Sequence, residues 1–138
     1  MIILDTNVIS ELMKTAPDPA VTAWIDKQKP TNLAITAIAI AEIQRGISLL
    51  TKGNRRKNLD VDFKTFIEKA FIGRILSFDE QAAYLYGQIA AERVQSGFNV
   101  DAVDLMIAAI VKSYGASIAT RNVKDFKDCG IDIINPWI

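Results

Sequence analysis

Short, wholly apolar runs that pass directly into helical patterns set the strongest constraint on how this chain folds. Ile2-Ile3-Leu4 meets Asp5-Thr6-Asn7 with no linker, and a helical pattern follows from Val8 to Met13. Unbroken apolar runs of this length suit strands buried on both faces of a parallel sheet. The same junction recurs. Leu33–Ile35 is a second strand candidate, with Thr36 placed to cap a helix over Ile38–Leu50 whose Ile40, Ile43, Ile47 and Leu50 form one apolar stripe. Arg74–Phe78 is a brief strand before Asp79 and a long helix towards Gly97, and Ser117–Thr120 and Ile131–Ile134 are the last two. Between them lie a helix from Pro19 to about Gln28, a polar stretch over Lys52–Asn58, and a helix carrying Phe63, Phe66, Ile67 and Phe71. The segment Asp101–Tyr114 is apolar nearly all round, so it belongs in the interior, and Gly115 stops it. With 138 residues, half of them hydrophobic, and no repeat or long linker, the pattern predicts one α/β domain over residues 1–138: a mainly parallel central sheet flanked by helices.

Composition narrows the chemistry. The chain has no histidine, which removes imidazole bases, serine and cysteine triads and histidine-containing zinc sites. Its one cysteine, Cys129, excludes an internal disulfide and an all-cysteine metal site. Carboxylates, lysines and hard metal ions remain. Sixteen basic residues balance 16 acidic ones, so no overall field draws the protein to nucleic acid, and any polyanion has to be held locally. The N-terminus lacks the marks of a signal peptide and no apolar run is long enough for a membrane span, so a soluble, cytoplasmic protein is expected.

Four acidic or amide positions stand where a strand or buried helix ends. Asp5 follows the first strand, where open α/β sheets gather ligand groups, though it also suits a helix N-cap. Glu42 borders the apolar stripe of its helix, either as a functional carboxylate or as an intrahelical partner of Arg45, with Gly46 one turn on. Asp104 sits in the first turn of the buried helix; favourable interaction with the helix dipole is worth less than the several kcal/mol of desolvating an unpaired carboxylate. Asp101 belongs to the cap. Asn122 and Asp125, three apart after the strand ending at Thr120, read as a helix start or as part of a site. If Asp5, Glu42 and Asp104 converge, each pair at about 4 Å repels by about 4 kcal/mol at an effective dielectric of 20. A hard divalent ion resolves that conflict, since Mg²⁺ or Mn²⁺ takes oxygen ligands.

The stretches "ILDTNVIS", "AEIQRGI", "DAVDLMIAAI", "IATRNVKDF" and "INPW" occur in the order found in PIN-domain ribonucleases, and the chain resembles the VapC-like and FitB-like toxins among them. The resemblance implies a PIN fold, Mg²⁺- or Mn²⁺-dependent RNA cleavage and an antitoxin encoded alongside, with DNA met only through that antitoxin and a homodimer common in the family. By position it makes Asp5 and Asp104 metal ligands and Glu42 a ligand or a base for the attacking water. It leaves the fourth position to Asn122, Asp125 or a water. Thr6 and Thr120 support the ligands, and Arg121 meets the phosphate. Lys52, Arg55, Arg56 and Lys57 form one basic group, and Arg45, Arg121, Lys124 and Lys127 a second nearer the site. Trp24, Tyr84, Tyr86 and Trp137 belong either to the core or to a dimer or antitoxin surface. Two rivals are a catalytically degenerate PIN-fold binding module, whose acids serve only as caps, and a haloacid-dehalogenase-like phosphatase, which needs an aspartate where this chain has Asn7.

Overall fold

The computed structural model describes residues 1–138. Five parallel strands form the sheet: β1 (Ile2–Leu4), β2 (Leu33–Thr36), β3 (Ile75–Leu76), β4 (Ser117–Ala119) and β5 (Asp132–Ile134), in the order β3-β2-β1-β4-β5. The chain therefore builds outward from β1 to β2 and β3, then returns to place β4 on β1's other side. The carboxyl ends of β1 and β4 flank the resulting switch point, where parallel sheets open a crevice. Ile3 is level with Ala34 on one side and Ile118 on the other, and the backbone N–H of Asp5 donates to the Ala119 carbonyl at 2.9 Å.

Alternation along the strands sends neighbouring side chains into two cores. Ile3, Ala34 and Ile118 face one, while Leu4, Leu33, Ile35 and Ala119 face the other. The first core is covered by α5 (Glu80–Gln95), α6 (Ala102–Ser113) and α7 (Val123–Phe126). The second lies under α1 (Thr6–Leu12), α2 (Pro19–Asp26), α3 (Ala37–Ser48) and α4 (Asn54–Ala70). Helix α6 fills the interior as its composition requires: Leu105 and the run Ile107–Val111 are all buried. Its cap is the Asp101 side chain, which accepts from the Asp104 N–H at 3.1 Å. Thr36 caps α3 by accepting from the Ala39 N–H at 3.0 Å.

Several expectations need correction. The polar stretch Lys52–Asn58 is no loop beyond Gly53, because α4 begins at Asn54; arginine and lysine are good helix formers, and a solvent-facing first turn needs no apolar stripe. Helix α1 starts at Thr6, two residues early, since Asp5 itself caps it. Strand β3 is two residues where five were expected, because it sits at the sheet edge with β2 as its single partner. Of the aromatic residues assigned to core or surface, Trp24 and Tyr86 pack against the cores, whereas Tyr84 is 70% exposed.

Helix α6 carries Asp104 into the crevice, so its packing fixes that carboxylate. Ile107→Ala is expected to cost about 2–5 kcal/mol in stability, because the side chain is fully enclosed. Urea unfolding of the purified variant measures this; a loss under 1 kcal/mol would refute the packing assigned to α6.

Candidate active site

At the switch point Asp5 is held by neutral donors alone. Its Oδ1 accepts from the Thr6 N–H at 2.8 Å, and its Oδ2 accepts from the Thr120 hydroxyl at 2.8 Å and the Asn7 amide at 3.2 Å. Asp5 thus caps α1 and faces the crevice as well, so the two roles weighed from sequence coincide. Asn7 spans the gap between strands: its amide nitrogen also donates to Thr120 Oγ1 at 3.2 Å, and its Oδ1 accepts from the Arg121 N–H at 3.2 Å. Thr120 Oγ1 further accepts from the Asn122 N–H at 3.0 Å. Asp5 is buried and carries no cation, so desolvation raises its pKa, with the hydrogen bonds from Thr120 and Thr6 opposing and the charges of Glu42 and Asp125 adding to the rise.

Glu42 does not pair with Arg45. Its Oε1 accepts the Thr6 hydroxyl at 2.7 Å, because the helix turns the carboxylate towards α1 while Arg45 points to solvent. Thr6 therefore supports Glu42 through its hydroxyl and Asp5 through its backbone. Asp104 is half-buried, and its pKa is raised to about 7 by desolvation first and then by the charges of Asp101, Asp5, Asp125 and Glu42. Asp104 thus sits within electrostatic reach of all four of these acids, and Asp5 within reach of Glu42 and Asp125 as well.

A cavity of about 440 Å³ joins Asp5, Glu42, Asp104 and Asn122 with Thr6 and Asn7. Its far wall is Ser10, Glu11, Lys14, Arg121 and Trp137. The expected contact at about 4 Å is not reached, since no three acidic groups stand close enough to enclose an ion between them. Asp5 and Glu42 each rest on a hydroxyl donor instead of on a shared centre, whereas the Asp104 carboxylate accepts no hydrogen bond and only its backbone N–H is engaged, by Asp101. Asp125 lines the adjoining cavity beyond Asp104 and not this one. Asn122 holds the N-cap position of α7 but makes no side-chain capping bond. Among the expected basic residues Arg121 lines the acidic cavity and Lys124 the adjoining one, while Arg45 and Lys127 line neither. The Arg121 guanidinium lies over the Trp137 ring, 5.2 Å from its centroid.

Sequence reasoning gave no role to Asn7, Glu11 or Lys14. Asn7 carried a signal, two residues after Asp5 in the same junction, but its bonds cross to β4 and need the fold to appear. Glu11 is buried, bonded to the Lys14 amine at 3.0 Å and to the Asp18 N–H at 3.0 Å, and these two donors hold its pKa below the ordinary carboxylate range.

An all-parallel α/β sheet with Asp5, Glu42 and Asp104 lining one cavity at its switch point defines an open α/β protein whose polar site lies where such sheets bind ligands. The PIN domain family model matches residues 2–131. The VapC ribonuclease Y4jK of Sinorhizobium fredii is 42% identical over 137 residues, spanning 99% of this chain and 98% of the relative. Toxin FitB of Neisseria gonorrhoeae is 37% identical over 137 residues, covering 99% of each, and the crystal structure of FitAcB from the same organism superimposes with a TM-score of 0.93 over 99% of both chains. The structure of DNA-bound VapBC from Salmonella typhimurium gives a TM-score of 0.83 at 27% identity, over 98% of this chain and 97% of that one. The chain belongs to the PIN-domain family.

The raised pKa of Asp104 has a definite sign. Folded Asp104 keeps its proton up to about pH 7, whereas the unfolded group loses it near 3.8, so stability falls as pH rises between those values. Asp104→Asn is therefore expected to melt higher than wild type at pH 8 in chelator, with the gap closing near pH 4. Thermal melts across that range measure it; a gap that is constant with pH would contradict the assignment.

Proposed function

We propose that this protein is a Mg²⁺- or Mn²⁺-dependent endoribonuclease that acts as the toxin of a toxin–antitoxin pair in the cytoplasm. The observation that carries the reading is the meeting of Asp5, Glu42 and Asp104 on one cavity at the sheet's switch point, with the pKa values of Asp5 and Asp104 raised partly by the neighbouring carboxylates. Such a donor set suits a divalent ion on which the three side chains close: Asp5, Glu42 and Asp104 offer carboxylate oxygens alone, and a positive charge removes the repulsion among them. Asp5, Glu42 and Asp104 would hold the ion, with Asn122 or Asp125 completing its surroundings. An ion bound there supplies the charge that draws in a phosphodiester oxygen, acidifies water and stabilises the departing oxyanion.

The chain's own residues do the rest. Thr6, Asn7 and Thr120 fix Asp5 so that it needs no reorganisation as charge develops. Glu42 has Oε1 held by Thr6, which leaves Oε2 to take the proton of the attacking water. Arg121, steadied on Trp137, offers its guanidinium to the phosphate from the opposite wall. In-line attack by water breaks the P–O3′ bond and leaves 5′-phosphate and 3′-hydroxyl ends. The partners are RNA as substrate and a cognate antitoxin, with DNA reached through the antitoxin; the expected assembly of the toxin itself is a homodimer.

The experiment compares wild type with Asp5→Asn on cellular RNA, with and without Mg²⁺ or Mn²⁺. Cleavage that needs the ion and falls by on the order of a hundredfold or more in the variant is expected, together with 5′-phosphate ends. Equal cutting by both proteins would end the enzyme reading and favour the binding-module alternative. A cyclic phosphate product would replace water by the RNA's 2′-hydroxyl as nucleophile.

A further inference from the structure

Beyond Asp104 the crevice continues into a second cavity of about 460 Å³, and Asp104 lines both. Its walls come from the α5–α6 connection and the start of α7, with Phe98, Asp101, Lys124 and Asp125 among them. Phe98 belongs to neither core and remains 46% exposed. A guanidinium supports it: Arg93, itself buried, has its charged group 5.0 Å from the ring centroid, and its Nη1 donates to the Lys127 carbonyl. The chain thus places a buried cation, paired with no carboxylate, against a half-exposed ring that belongs to neither core.

The chemistry of the walls selects the occupant. Asp101, Asp104 and Asp125 would repel a phosphate, and an apolar protein surface would have to desolvate them at a cost of several kcal/mol. A neutral, flat ring with both amine donors and ring acceptors suits these walls, since its face stacks on Phe98, its N–H groups donate to carboxylates and its acceptors take the Lys124 amine. Asp125 takes part in neither of the chain's two ion pairs, so its oxygens are available as acceptors. Uracil has no exocyclic amine; adenine, cytosine and guanine do.

We propose that this cavity is a nucleobase subsite: the base beside the scissile phosphate stacks on Phe98, and the Asp125 carboxylate favours an amine-bearing base over uracil. The inference rests on the ribonuclease reading above. Binding of fluorescein-labelled single-stranded RNA hexamers of A, C or U in chelator tests it, with the wild-type chain as the parent, since without the ion the probe survives. A and C hexamers are expected to bind tighter than U. Phe98→Leu, which keeps the apolar bulk and removes the aromatic face, is expected to weaken them about tenfold, whereas Phe98→Tyr retains affinity. Asp125→Asn should abolish the discrimination against U. If Phe98→Leu binds like the parent while wild type still cuts RNA, the subsite falls and the ribonuclease reading stands. Phe98 variants that shift the sedimentation of the protein but leave hexamer affinity unmoved would assign the ring to a second copy of the chain. A parent that binds no hexamer overturns the subsite, and a wild type that also cuts no RNA takes the ribonuclease reading with it.

Discussion

The buried carboxylate of Asp5 holds the two halves of the sheet's carboxyl edge in one arrangement. Removing it from water costs several kcal/mol, and no cation inside the fold offsets that. Hydrogen bonds to a charged group are worth about 1.5–3 kcal/mol each, and Asp5 accepts three, from Thr6, Asn7 and Thr120. Because those donors come from α1 and from the end of β4, the carboxylate can be satisfied only when β1 and β4 lie side by side in this register. Asn7 tightens the link by bonding Thr120 and the Arg121 backbone as well. One anion therefore specifies the strand pairing, the start of α1 and the position of Arg121.

Around this anchor the charges are sorted by fine spacing and not by an overall field. The chain is neutral in total, yet burial of Asp104, with the charges of Asp101, Asp5, Asp125 and Glu42 added to it, raises the pKa of that group to about 7. Three of the cations nearby are tied down, Lys14 to Glu11, Arg121 over Trp137 and Arg93 under Phe98, while Lys124 faces the adjoining cavity. A polyanion approaching such a surface gains little from long-range steering. Its affinity has to come from contacts made inside the crevice, which is why the walls beside the acids matter as much as the acids.

The α/β architecture was legible because its signals are local. The apolar run Ile2–Leu4, the stripe through Ile43 and Ile47, and the all-round apolar α6 each dictate an element without reference to the rest. The acids were legible for a related reason, since Asp5, Glu42 and Asp104 stand at junctions where a charge is otherwise awkward. What the sequence withheld is pairing across long separations. Thr6 lies 36 residues from Glu42, and Thr120 lies 115 from Asp5, so spacing alone suggested the nearby Arg45 as Glu42's partner. The start of α4 was misread for the opposite reason: Asn54–Asn58 carries no apolar pattern, and a helix that begins in solvent gives no periodic signal. Phe98 escaped notice because an exposed aromatic residue has no signature until the cation beneath it is seen.

The same repulsion that weakens the free fold is what gives the crevice its selectivity for a cation. Asp5 and Glu42 are held by neutral donors and the Asp104 carboxylate by none, and with burial as the first cause of the raised pKa values of Asp5 and Asp104, the site stores unfavourable energy that a divalent charge would release on binding. Histidine ligands would not do this, being neutral at the pH where they coordinate, and their absence leaves hard, oxygen-preferring ions as the ones that gain most. Thr6 and Thr120 set how far that gain extends. By holding Glu42 and Asp5 on hydroxyl groups, they orient the carboxylates without supplying a counter-charge, so the charge deficit stays at the switch point. A lysine or arginine in either place would quiet the repulsion permanently and leave nothing for the ion to do.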